Sequence, residues 1–353
     1  MPLADLEALF DKSGAGFWKT RSDDELLAME FTTDDPESLD NVSNDPPPDE
    51  EAMVELAYNV AGRDRGRAQC VFCKHPNHDK GVVMLYRSGG RRLVGRDCAH
   101  KRYGVVFDEL VKDFDAARDR RDYVERQRMV LSQRSDLVDQ IAAMRADPAV
   151  QAFMDVRRRL QAMLGRTVWA RLERVASGDG MLSTDEQLRD YGTENARVRG
   201  VVVQGYALHG AELFRSGPTV PEQLLAIERE VEETLEVLRR QEATTREIRI
   251  GLVKLGDLMR RIEEQRVRLR AVNSFFEIYN LGHVAEWARK VDQQIIIGTG
   301  TLPTRLVVQR GSETLECAAP EHYRVPGQAL VALMRDTVTA QKKVRRVTKG
   351  AAA

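Results

Sequence analysis

Three of the four cysteines stand in one short stretch, Cys70 and Cys73 in CVFC and Cys98 in VGRDCAHKRYG, a spacing that restricts the backbone more than any other feature of the chain. Two cysteines separated by two residues suit a tight turn that directs both sulfurs at one tetrahedral ion. Cys98 begins a second half-site, and His75, His78 and His100 compete to complete it. Residues two apart on a regular helix point roughly 200° apart, so His100 joins Cys98 only where the turn precedes the helix. His78 and His100 stand as open alternatives, with His75 behind them.

The order Cys70, Cys73, His78, Cys98 is that of a zinc knuckle with a hairpin inserted before the last cysteine. GVVMLY (81–86) and RRLV (91–94) read as its two strands, around the turn Ser88-Gly89-Gly90. Over residues 69–104 the chain resembles the treble-clef and zinc-ribbon modules of many bacterial and phage proteins, in which CxxC, a hairpin and a VG-D-C phrase followed by a helix recur. The resemblance implies a structural Zn2+ site and identifies a module rather than a function. The chain departs from the pattern after Cys98, where His100 is followed by Lys101 and Arg102 instead of a clear second ligand pair.

Four cysteines in 353 residues make no disulfide framework, and their clustering with histidines suits a reducing compartment. The first ten residues carry acids rather than a basic leader, and no stretch has the apolar length of a membrane span. A soluble cytoplasmic protein with no membrane partner is expected. Fifty-four basic and 55 acidic side chains nearly cancel, so any nucleic-acid contact must come from a local patch. Arg87, Arg91, Arg92, Arg96, Lys101 and Arg102 form one, with Tyr86 and Tyr103 interleaved, a mixture suited to gripping phosphates and stacking a base. The competing reading is a solvated basic face.

A charged fraction of 31% beside 6% aromatic residues favours long solvated helices. The expected fold class is mainly α with small β elements: coiled-coil-like helices, a zinc-stapled β-hairpin and a small C-terminal antiparallel sheet. Residues 1–52 read as a flexible acidic segment and 53–104 as the zinc module. Helical periodicity runs unbroken to about Arg145, then from Val150 to about Val175, within a helical region, 105–217, that ends in a short strand segment at 197–206. A short helix is expected from Ser183. Residues 218–291 carry the longest apolar seam, interrupted near Gln241, Thr244 and Thr245, and helix propensity is weakened at Gly251 and Gly256. Residues 292–341 form a small α+β unit with a closing helix over 328–339, and 342–353 a basic tail.

No HExxH or HxE with PCxxC pattern occurs, so no catalytic residue is assigned. Cys317, near Glu321 and His322, reads as a small buried side chain, Gly298-Thr-Gly300 as a hairpin turn, and Tyr206, His209 and Glu212 as packing or solvent-exposed groups. The leading expectation is a non-enzymatic zinc-binding scaffold or adaptor, phage- or mobile-element-encoded, that contacts nucleic acid, a protein partner or a second copy through its helices. The alternative is a metal-dependent or nucleic-acid-processing enzyme with active groups dispersed over 197–217 and the C-terminal sheet.

Overall fold

The computed structural model describes residues 17–61, 68–75, 78–183 and 205–333, and these form a mainly helical chain with small sheets. They divide into two compact units. The first runs to Ser132 and includes Arg240–Ile250; the second takes Gln133–Arg239 and continues from Gly251.

The first unit is built on a sheet of β1 (Thr32–Thr33), β2 (Ala52–Asn59), β3 (Lys80–Tyr86) and β4 (Arg91–Val94), in that spatial order. β1 pairs parallel to β2, and the other pairs are antiparallel, with Val82 opposite Val94 and Met84 opposite Arg92. β3 is buried from Gly81 to Tyr86, because a central strand covered on both faces must be apolar at every position. One face meets Trp18, Phe31, Phe107 and Phe114; the other meets Leu56, Tyr58 and Leu93. Gly81 is required where it stands, since a Cβ there would strike the Tyr58 ring at 2.4 Å. The expected hairpin is therefore present, inside a larger sheet.

The segment 22–51, expected as a flexible linker, is structured. It carries α1 (Asp23–Ala28) and β1, and it buries Leu26 and Phe31. The Trp18, Phe31 and Phe114 rings lie 4.9–5.5 Å apart, and the Trp18 indole donates to the Val54 carbonyl at 3.0 Å. Some of its acids pair with arginines: Asp23 takes two bonds from Arg120, Asp24 one from Arg128, and Glu51 one from Arg87. A few apolar anchors with paired carboxylates overcome a composition that reads as unable to order.

After α2 (Arg96–Tyr103) the expected single helix is two, α3 (Val105–Ser132) and α4 (Arg134–Ala146), broken at Gln133, where φ −102° and ψ 10° leave the helical region. The break keeps the apolar spacing, with Val130 on one side and Leu137 on the other, so periodicity cannot register it. α5 (Pro148–Ser177) follows and changes direction at Gly165, φ 72°. The short helix expected from Ser183 and most of the strand at 197–206 lie outside the described residues. The two-residue strands β5 (Met181–Leu182) and β6 (Tyr206–Ala207) pair across that interval.

The seam expected from 220 to 262 folds back on itself. α6 (Val220–Leu238) and α7 (Thr245–Phe275) are joined by a turn, and Thr244 opens α7 by exchanging hydrogen bonds with Glu247. Glu230 on α6 pairs with Arg261 on α7, and Leu238 faces Gly251, so the helices run antiparallel. α4 lies along α6, with Arg145 bonded to Glu228. The seam residues Leu224, Ile227, Val231, Leu235 and Leu238 are buried within the chain.

α8 (Ile278–Val291) leads to an antiparallel sheet of β7 (Ile296–Thr301), β8 (Thr304–Arg310) and β9 (Glu313–Ala318). Its first turn falls at Leu302-Pro303, and Gly298 to Gly300 lie inside β7, contrary to the expected turn. Gly300 fits there because the Arg305 side chain crosses it. Residues 328–333 begin the closing helix; its remainder and the basic tail lie outside the described residues.

Two predictions follow from these helices. A Cβ at Gly256 would meet nothing within 4 Å, so Gly256→Ala is expected to raise stability by about 1 kcal/mol through helix propensity. A lowered midpoint in thermal unfolding would contradict the regular helix there. At the start of α1, Ser22 and Glu25 cap each other, and bonds from the Ser22 backbone and hydroxyl, then Arg21, hold the Glu25 carboxyl down at about 2. A lowered carboxylate contributes stability above its ordinary range that is lost as pH falls towards its folded value. Glu25→Gln should flatten that loss between about pH 4.5 and 2, read from denaturant midpoints against pH.

Candidate metal centre

Three chain segments converge beside the end of β4. The Cys70–Cys73 knuckle closes with the Lys74 amide donating to the Cys70 carbonyl at 2.9 Å, and Lys74 turns the chain out with φ 55°. The Val71 amide donates to Leu93, fixing the knuckle to the sheet. His78 enters just before β3, its amide bonded to the Ala68 carbonyl at 3.2 Å. Cys98 stands in the first turn of α2, immediately after the sheet ends.

Cys70 Sγ, Cys73 Sγ, Cys98 Sγ and one ring nitrogen of His78 all lie within 4.8 Å of one another, a group that can hold a metal ion. Cys73 Sγ and His78 Nε2 are 3.1 Å apart. A tetrahedral ion with bonds of about 2.0–2.3 Å sets donor separations of roughly 3.4–3.8 Å, so small adjustments bring this set to coordination distance. Cys70 is buried, Cys98 and His78 are half-buried, and Cys73 is exposed.

The electrostatics are those of a site that wants a cation. Burial disfavours the Cys70 thiolate, but the backbone amides of Cys73, Gly95 and Phe72 outweigh it and hold the thiol below its usual range. Cys98 is pushed up to about 12, first by burial and then by the neighbouring Cys73 and Cys70 sulfurs. One thiolate is thus welcomed and the next repelled, until a positive charge is placed between them.

His100 stands apart from the group, with Nδ1 2.8 Å from the Asp108 carboxylate and its side chain exposed. Helix geometry had weighed against it, and α2 does begin before Cys98. His75 is also exposed, its ring centre 6.3 Å from that of His78. Lys74, the residue after Cys73, donates to the Asn44 carbonyl.

Sequence reading gave Gly95 no role, although it supplies the glycine of the VG-D-C phrase. Its amide donates to Cys70 Sγ at 3.4 Å, and a Cβ there would lie 2.6 Å from the His78 ring. Glycine at this point lets the imidazole reach the sulfurs.

The basic patch is largely occupied by its own chain. Arg87 pairs with Glu51, Arg91 binds Glu55 with two nitrogens at 2.7 Å, Arg92 donates to the Asp45 carbonyl, and Arg96 meets Asp115. Lys101 and Arg102 are exposed. Tyr86, expected to stack a base, is a core residue whose hydroxyl meets that of Tyr103 at 3.0 Å. The alternating strand buries it on the side that faces α3.

The remaining candidates are structural in their surroundings. Cys317 is buried on β9, and burial pushes its thiol up to about 11, away from nucleophile chemistry, while Glu321 and His322 are exposed. Tyr206 stacks on His283 at 3.9 Å, His209 pairs with Glu277, and Glu212 pairs with Arg215. No helix among the described residues is long and apolar enough to cross a membrane. No protein-family model, no curated protein and no solved structure matches this chain.

Proposed function

We propose that Cys70, Cys73, His78 and Cys98 bind one Zn2+ as a structural ion, and that the chain is a non-enzymatic scaffold or adaptor. The observation that carries this reading is the donor set: three sulfurs and one imidazole within 4.8 Å of one another. Thiolate and imidazole donors suit zinc, and four protein ligands fill its tetrahedron with no position left for a water or substrate. Such an ion ties the knuckle, the strand edge and α2 together and gives folding energy directly. The antiparallel α6–α7 pair serves in this reading as an internal spacer rather than a dimerising coiled coil, because its seam is already buried against the same chain. Nucleic-acid contact rests on Lys101 and Arg102, which project from the end of α2.

Elemental analysis of the purified protein should give one zinc per chain, lost in Cys98→Ser and in His78→Ala and kept in His100→Ala. Gly95→Ala, which alters no ligand, should weaken zinc retention against a chelator by crowding His78, and chelation of the native chain should lower its thermal midpoint. Absence of metal, or dependence on His100 instead of His78, would defeat the assignment.

For the nucleic-acid contact, fluorescence anisotropy with a mixed-sequence duplex at low salt should show weak binding that Lys101→Ala/Arg102→Ala removes. Two phosphate contacts imply a shallow salt dependence, with a logarithmic slope of about −1.8. Binding that persists in the double variant would place the contact elsewhere.

A further inference from the structure

The three sulfurs of the candidate metal centre differ in what can reach them. Cys70 is fully buried, and its Sγ accepts from the Gly95 amide at 3.4 Å. Cys98 is half-buried in the first turn of α2. Cys73 is exposed at the outer end of the knuckle, and the two residues after it, Lys74 and His75, are exposed as well. Solvent therefore meets the cluster chiefly through one sulfur. A thiolate open to solvent is the form that oxidants attack, whereas a buried thiol is inert.

A second sulfur must stand beside the first for such an attack to end in a reversible bond rather than in irreversible oxidation. Both Cys70 and Cys98 are near enough, since the donor atoms all lie within 4.8 Å of one another. They are held differently. The amides of Cys73, Gly95 and Phe72 fix the Cys70 sulfur in place. Of the two sulfurs beside Cys98, that of Cys73 makes the stronger hydrogen bond with it. A disulfide brings its sulfurs to about 2.05 Å, and Cys73, being exposed, can turn towards Cys98 without displacing packed side chains.

We propose that the metal centre is a peroxide-responsive switch: Cys73 takes the oxidant, Cys98 closes a disulfide with it, and the ion is released. The Cys73 thiolate attacks one oxygen of a hydroperoxide, the O–O bond breaks, hydroxide or alkoxide leaves, and Cys73 becomes a sulfenic acid, its sulfur oxidised by two electrons. The Cys98 thiolate then displaces hydroxide from that sulfur and forms the S–S bond. With hydrogen peroxide, two thiolates and one peroxide thus give one disulfide and two hydroxides. Cys70 and His78 alone leave half of a tetrahedron empty, and the hold on the ion is lost. A thiol reductant reverses the bond by exchange. The release rests on the zinc reading above, and the bond rests on the positions of the sulfurs.

The test treats the zinc-loaded full chain with hydrogen peroxide, follows free zinc with a chromophoric chelator, and maps disulfides by mass spectrometry of non-reduced peptides. Zinc is expected to leave faster than in chelator alone and in step with a disulfide between Cys73 and Cys98. A thiol reductant with added zinc should restore both the thiols and the bound ion. Cys317, buried on β9, is the internal reference and should remain a thiol. A chain that carries no zinc before oxidant is added overturns the zinc reading, and the release with it. A chain that carries zinc and keeps it under peroxide, or loses it without the bond between Cys73 and Cys98, overturns this proposal alone. Each arm uses the unaltered chain, so none depends on the folding of a variant.

Discussion

Three sulfurs and an imidazole nitrogen drawn to within 4.8 Å of one another create a demand for positive charge that the backbone meets at only one of the sulfurs. The backbone amides at Cys73, Gly95 and Phe72 suffice for one thiolate, at Cys70. Lys74, next to the knuckle, donates to the Asn44 carbonyl. The knuckle, the bridge at His78 and the start of α2 therefore share one electrostatic problem, and a bound cation would solve it for all three at once.

Elsewhere in the first unit, charge is balanced within the chain. The acids of residues 22–55 meet arginines of the hairpin and of α3, and Arg91 with Glu55 is a two-pronged, half-buried pair, a geometry stronger than a single contact. A basic patch read along the sequence is in space a neutral seam, with Lys101 and Arg102 beyond its end. The same pairing explains how a segment rich in Asp, Glu and Pro is held in place.

The candidate donor cluster was legible because CxxC spacing and a hairpin leading to a third cysteine are local features, each with a short-range physical meaning. The fourth donor was only half legible. Helix geometry weighed against His100, but the choice of His78 depends on where the chain passes after Cys73. Gly95 was visible as a residue and not as a role, since its use lies in the approach of a ring from a distant segment. The helices were legible by period and not by ends: the break at Gln133 preserves spacing, and the fold-back after Leu238 was marked by Thr244, which now caps α7. A seam pattern records that an apolar face is covered and does not record by which helix.

The sheet frames both the candidate metal centre and an apolar cavity lined by Trp18, Met84, Tyr86, Tyr103 and Phe107, with Glu50, Glu51, Glu109 and Asp113 at its edge. β4 ends in Gly95 and delivers α2, while β3, buried on both faces, turns Met84 and Tyr86 towards the cavity. α2 carries Cys98 in its first turn and Tyr103 at its end, and Tyr103 both lines the cavity and bonds to the Tyr86 hydroxyl. The cavity wall and the third sulfur thus belong to the same short helix.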